Sequence, residues 1–542
     1  MSLLPSSKTS FPLPRLTGPL FEGVLYSALS LLLIFLCFYT ASLYDEFLFS
    51  IVGKSIAAGT GWRLHYPHVL AKPLLDTSGL FTPEPAAGPL FMLILATAIK
   101  LAGPLYWVPG FVTLLLNICL LCVILVKASR SSLAWDYKKR ILFVILVLLC
   151  SSDHAAINMP LLMKFFHKAY GDMSAALSIV LGLMIFMDCI EKRKRLWQAA
   201  IPGVIAVLIK PLPILSWVAG LGCAAVTRFR DFRLFLQISA VALAPIIVNK
   251  IYDLIKYALV GASAEKLKLV EKDFFLYEGS GIGPLLDAHD KWSYLVHNVE
   301  SNFKKISAYY GSGFIVVLLF IMVVTLFIYA LRKSFKQPKA GRLEGILLFS
   351  AAALIQIVWC LFISVAPWER HLLSAVIITN TLFIISLNNS VPWIRYGSAV
   401  LITLIISAKL LMLPAAINTI EPSIQRLDSQ LQTSAYLESI PLSNSTTLLG
   451  CEWWANRDME YLMAGQDHFK NCREVLHETG DMDQQLILVK SDFWGSPDSR
   501  FEALRQICEK RIVFQSKLHT VAACGSKADV LSELKQMGYA PF

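Results

Sequence analysis

The stretch VLYSALSLLLIFLCFYTASLYDEF, residues 24–47, opens with an uncharged run, 24–43, and ends on two adjacent carboxylates, Asp45 and Glu46, between Tyr44 and Phe47. At 1.5 Å of rise per residue, such a run crosses a hydrocarbon core of ~30 Å. It is too long for a signal-peptide core and has no small-residue cleavage site, so it reads as a retained helix. Runs 312–331 and 396–413 repeat the pattern.

Composition agrees. Of 542 residues, 56% are hydrophobic and 16% charged, with a mean hydropathy of +0.59, against about 25% charged in a soluble domain. The chain is expected to be an α-helical polytopic membrane protein, which excludes a disordered chain, a secreted disulfide scaffold and a nucleic-acid-binding module. The formal charge of +11, from 49 Lys and Arg against 38 Asp and Glu, sits in short clusters between apolar runs: 127–140, 192–195, 228–233 and 332–342. Short basic loops mark the cytoplasmic side, so topology accounts for the excess without a nucleic-acid partner.

Placing all these loops inside requires the run 88–103, broken by Lys100, to lie along the interface without crossing. About eleven spans follow: 24–43, 105–126, 141–159, 172–190, 196–210, 211–227, 234–250, 312–331, 343–364, 371–387 and 396–414. Residues 1–23, with Lys8 and Arg15, are expected in the cytoplasm, and 24–414 form the membrane domain. The outer loops are 44–104, 160–171, 251–311 and 365–370. Residues 415–542 form an outer tail. There, strand-like stretches (446–449, 486–489, 511–514) alternate with helix-like ones (457–463, 499–510), which predicts a small α/β domain. Seven of the 11 cysteines lie in or beside spans and read as packing residues. Cys451, Cys472, Cys508 and Cys524 all fall in the tail, where their even number permits two disulfides in any of three connectivities.

Several polar residues cluster on the expected outer face. Adjacent carboxylates at a membrane surface are costly unless solvated, paired or metal-bound. Asp45 and Glu46 therefore read either as a helix cap or as a general base for an acceptor hydroxyl. Asp172 opens a span after Tyr170-Gly171, where a capping role explains the residue type equally well. Asp153 and His154 read as a buried polar pair or as cavity-lining groups. Lys210, at Leu208-Ile209-Lys210-Pro211, reads as a snorkelling anchor or a phosphate-binding point charge. Arg370, between Glu369 and His371, suits bidentate phosphate contact or an ion pair with Glu369. His65 and His68, near Trp62 and Arg63, are candidate substrate or metal groups.

In this order the motifs resemble the GT-C superfamily of polyprenyl-phosphate-sugar glycosyltransferases, in its ArnT-like and protein-mannosyltransferase-like branch. The resemblance covers about residues 20–390. It rests on Asp45-Glu46 after the first helix, on Pro85-Ala86-Ala87-Gly88-Pro89-Leu90-Phe91 with the run to Gly103, and on Asp172 before its apolar helix. Leu208-Ile209-Lys210-Pro211 and Glu369-Arg370-His371-Leu372-Leu373 complete it. The chain departs from the family at Ala86-Ala87-Gly88, where a histidine and a double proline are usual. It departs again at Pro211 for a glycine and at His371 for a tyrosine.

The resemblance implies inverting transfer of a sugar from a polyprenyl-phosphate donor to a glycan, lipid or protein acceptor, outside a bacterial-type cytoplasmic (inner) membrane. It assigns Asp45 as the base with Glu46 as its substitute, and Asp172 as a positioning acid. Lys210, Arg370 and His371 then hold the donor phosphate. A divalent cation, Mg or Mn, is used in some branches, and Asp45 and Asp172 would ligate it. Loop 251–311, with Tyr277-Glu278-Gly279-Ser280-Gly281, reads as a lid. A flippase for lipid-linked sugars and a non-catalytic envelope assembly subunit are the competing readings. The absence of an obvious repeat weighs against a transporter.

Overall fold

The computed structural model describes residues 18–41, 44–59, 88–131, 133–152, 161–192, 195–260, 265, 268–269, 272, 282–336, 341–364, 369–440, 442, 445–450, 457–463, 469–472, 475, 481–491 and 499–539. The membrane part begins with α1 (Gly18–Tyr39), α2 (Tyr44–Ala57), α3 (Pro89–Ala102), α4 (Val108–Arg130), α5 (Tyr137–Cys150) and the short α6 (Lys164–His167). It continues through α7 (Asp172–Glu191), α8 (Trp197–Ile209), α9 (Ile214–Thr227), α10 (Phe232–Val260), α11 (Ile282–Asp287), α12 (Lys291–Tyr310) and α13 (Gly313–Lys336). Then come α14 (Gly341–Val358), a π-helical turn (Trp359–Ile363), α15 (Glu369–Ser386) and α16 (Pro392–Ile417).

Among the described residues, seven helices are long and apolar enough to cross a membrane. Three expected spans come out shorter, α5, α8 and α9 with 14, 13 and 14 residues, while α15, with 18, is about as long as expected. At 1.5 Å per residue, thirteen residues rise only about 20 Å. Each of these helices instead packs against neighbours. The centre is α7, apolar all round and buried along almost its whole length, as such a helix must be. Trp217 of α9 shows how tightly the bundle closes: it wedges between Gly182 of α7 and Gly203 of α8, where any Cβ would come within 2.6 and 2.8 Å of its ring.

Two expected loops are helical. α2 occupies the start of the stretch 44–104. Within 251–311, α10 runs on to Val260 and α12 forms a 20-residue amphipathic helix capped by Asp290, whose side chain accepts from the amides of Trp292 and Ser293. The lid motif 277–281 lies outside the described residues. The run 88–103 forms the short helix α3, lying against α2 and α4.

The bundle has two distinct ends. At one, residues of three basic clusters are ion-paired: Lys127 and Lys192 to Asp188, each at 2.6 Å, Arg140 to Glu22 at 2.6 Å, and Arg228 to Glu344 at 2.7 Å. These contacts join the ends of α1, α4, α5, α7, α9 and α14. The other end carries the tail.

The tail starts with α17 (Ile420–Ser439), then β1 (Thr446–Gly450), α18 (Arg457–Leu462), β2 (Phe469–Asn471) and β3 (Gln485–Ser491). α19 (Ser499–Cys508), a 3-10 turn, β4 (Ile512–Gln515), β5 (His519–Ser526) and α20 (Lys527–Gln536) follow. The sheet has the order β2-β1-β3-β5-β4, with β2, β1 and β3 parallel and β5 antiparallel to β3 and β4. Because successive strand residues face opposite sides, Leu449, Leu488 and Ala522 pack with Leu504, Ile507 and Val530. Leu448, Val489 and Val521 pack with Leu437, Met459 and Met463 on the other face. β2, β5 and α20 are absent from the sequence reading; β2 is only three residues long.

Candidate active site

At the tail end of the bundle, residues 46, 49 and 53 line one face of α2, since residues three and four apart are helical neighbours. Glu46, 1% exposed, accepts the Ala169 backbone N–H at 2.8 Å. One turn on, the Phe49 ring lies 4.9 Å from the Lys210 ammonium and 6.1 Å from the Phe91 ring of α3. Gly53 lets α3 approach, with the Leu95 Cβ only 3.0 Å from where its own Cβ would stand. Asp45 stands in the first turn of α2, and its side chain lies outside the described residues.

Asp172 and Lys210 meet where the start of α7 lies against the end of α8. Gly171, at φ 76°, turns the chain into α7 through a conformation that favours glycine, and Asp172 then begins the helix at its positive dipole end. Lys210 takes extended backbone at the end of α8, as a residue preceding proline does. Its ammonium lies 3.6 Å from Asp172 Oδ2, and both side chains are buried. Gly88 lies flush behind this junction: its N–H donates to Ile209 O at 2.9 Å, and a Cβ there would sit 2.1 Å from Leu208 O. The Pro85–Phe91 and Leu208–Pro211 motifs thus meet backbone to backbone.

The segment 164–170 adds basic groups that the sequence reading passed over. Lys168 is buried and donates to Thr40 O at 2.8 Å. Burial pushes its ammonium below the usual lysine range, against the opposing pull of Glu46 and Cys37. His167 bonds Met163 O through Nδ1 at 2.8 Å, and burial with the neighbouring Lys168 charge holds it well below its ordinary value and neutral. Lys164 lies over the Phe165 and Tyr170 rings at 5.5 and 5.7 Å. The signal was present: Lys164, His167 and Lys168 put basic residues in an expected outer loop, against the positive-inside bias.

Arg370 and His371 open α15 beside the π-helical turn, a feature frequent at functional sites; the His371 and Trp359 rings are 6.1 Å apart. Asn302 secures the end of this turn by donating to Ser364 O at 2.7 Å, and Asn298 by donating to Phe362 O at 3.2 Å. Nearby, Lys409 donates to Tyr309 O at 2.6 Å with its ammonium over the Tyr309 ring, and the Tyr309 hydroxyl donates to Cys150 O. Asp153, His154, His65 and His68 lie outside the described residues. Cys508 and Cys524 form a disulfide and Cys472 is disulfide-bonded, while Cys451 lies outside the described residues.

Of the two carboxylates expected to ligate a divalent cation, Asp172 is described and the Asp45 side chain is not. Asp172 faces an ammonium and Glu46 an amide N–H, and among the described residues no three His, Cys, Asp or Glu gather. The arrangement instead offers buried acids beside a buried cation in a low-dielectric corner, where each charge acts strongly on what enters.

No family model matches the chain, and no curated protein matches it in sequence. Its fold is similar to that of ArnT. The crystal structure of ArnT from Cupriavidus metallidurans bound to undecaprenyl phosphate superposes with a TM-score of 0.53 at 14% identity, covering 93% of this chain and 98% of that one. The apo structure of the same protein gives a TM-score of 0.52 at 14% identity over 95% and 99%.

Proposed function

We propose that this multi-pass membrane protein transfers a sugar from a polyprenyl-phosphate donor to an acceptor hydroxyl at its tail end, on the extracytoplasmic face of an inner membrane. The buried Asp172–Lys210 pair beside the Glu46 face of α2 carries the reading. It sits in a fold shared with a protein whose structure holds undecaprenyl phosphate. All the ion-paired basic loops lie at the opposite end, which supports the orientation.

In this mechanism a carboxylate of the 45–46 pair, with Asp45 as the base, takes the proton of the acceptor hydroxyl. The freed oxygen attacks the anomeric carbon from the face opposite the phosphate. The anomeric C–O bond breaks, its electron pair leaves with the polyprenyl phosphate, and configuration inverts. Lys210 stabilises the charge that grows on the departing phosphate, with Arg370 as the second cation, and Asp172 keeps the Lys210 ammonium in place until phosphate competes for it.

Purified protein supplied with labelled polyprenyl-phosphate sugars from a membrane extract tests this. Wild type is expected to transfer label. Lys210→Met should lose roughly 10²–10³ in rate, the usual cost of removing one charge-stabilising group, and Asp45→Asn roughly 10²–10⁴, the usual contribution of a general base. Undecaprenyl phosphate binding without transfer, unchanged by either substitution, would sink the catalytic reading in favour of a lipid-carrier transporter.

A further inference from the structure

Hydrogen bonds join the tail to the bundle at three places among the described residues. The Ala41 N–H donates to Ser423 Oγ at 3.1 Å, and the Tyr461 hydroxyl donates to Leu105 O at 3.2 Å. The third is at Lys54, near the end of α2. Its buried ammonium donates to Glu460 O at 3.1 Å, to Tyr461 O at 2.7 Å and to Met463 O. An ammonium has three protons, so all of this donor capacity is committed to the end of α18. The carbonyls there are the ones a helix terminus leaves without intrahelical partners, at the negative end of its dipole.

A second contact fixes the rotation of α2. The Phe47 ring, next to Glu46, packs 5.7 Å from the Tyr461 ring. α18 is itself anchored in the tail: Asp458 accepts from Gln430 Nε2 of α17 at 3.1 Å and pairs with His519 Nε2 of β5 at 3.0 Å. Ser429 bonds His519 Nδ1 at 3.1 Å. A continuous set of buried bonds therefore runs from the sheet through α18 to α2.

We infer that Lys54 is a positioning residue through which the tail domain sets the depth and rotation of α2, and thereby the pose of Glu46 at Ala169 and of Phe49 at Lys210. α2 lies between α3 and α18, so releasing α18 frees one side of the helix that carries the acidic pair. The inference rests on the transfer reading only for its kinetic consequence; the structural consequence stands apart from it.

Hydrogen–deuterium exchange of the full-length protein in nanodiscs tests the structural part, comparing wild type, Lys54→Met and Lys54→Arg. In Lys54→Met, amides of 44–57 should exchange ~10-fold faster or more, while those of 485–526 keep wild-type protection, as expected for a local opening. Sugar transfer should lose roughly 10-fold or more in kcat with donor KM within about 3-fold, the signature of a group that acts in the transition state and not in binding. Lys54→Arg, which keeps charge and donors, should recover protection of 44–57. Unchanged exchange over 44–57, or a raised KM with unchanged kcat, would overturn the inference. If wild type transfers no sugar, the function reading fails while the exchange comparison still decides the positioning. If Lys54→Met does not fold, Lys54→Gln, with two donors, is compared in the same way.

Discussion

At Lys210 the chain holds an ammonium 3.6 Å from the Asp172 carboxylate with both groups out of water. Deleting one partner of a buried pair takes away charge that compensates the other, a loss of up to about 3–5 kcal/mol, whereas replacing both with neutral groups costs far less. Lys210→Met is therefore expected to lower the melting temperature sharply. Lys210→Met with Asp172→Asn should recover most of that loss while transfer stays abolished; melting curves in detergent beside the transfer assay would separate the two effects. A double variant as unstable as Lys210→Met would mean that the pair is not what holds this corner together. Both residues were legible in the sequence as isolated charges at the edges of apolar runs. The partner of Glu46 was not, because the Ala169 N–H lies 123 positions away and a backbone amide leaves no residue-type signal.

Among the helices, α3 was readable as a short apolar element, since Lys100 breaks its run. α2 was not readable, because Glu46, Gly53 and Lys54 interrupt the apolar pattern that marks a helix in lipid. Gly88 explains why the two motifs stay in register. Gly88→Ala would drive a Cβ to 2.1 Å from Leu208 O, with backbone on both sides, so α3 and the end of α8 must part. Overpacking of this kind costs about 1–3 kcal/mol or more. Reduced thermal stability together with reduced transfer is the expected result. A variant that melts and transfers like wild type would show that α3 moves freely against Lys210.

At the scale of the molecule, α18, the tail helix that meets α2, is held within the tail by groups that titrate. Burial would raise the Asp458 carboxyl, but His519 and then Arg426 outweigh it and hold the group below its ordinary 3.8. A carboxyl with a lowered folded value adds stability that is fully present above its unfolded value and is lost as pH falls through the folded one. The tail should therefore lose stability on acidification below about pH 4. Asp458→Asn should lack part of that acid limb while being less stable at neutral pH, as tryptophan fluorescence melts across pH 3–7 would show. An unchanged acid limb in Asp458→Asn would assign the loss to other carboxyls. The sequence alone determined the membrane class and the α/β character of the tail, because hydropathy and strand–helix alternation act residue by residue along a segment. Only the tertiary structure decided that Asp172 meets Lys210, that Glu46 meets Ala169, and that Lys54 captures the end of a tail helix some 407 positions away. Such pairings depend on how helices pack and on which backbone groups their ends leave without partners.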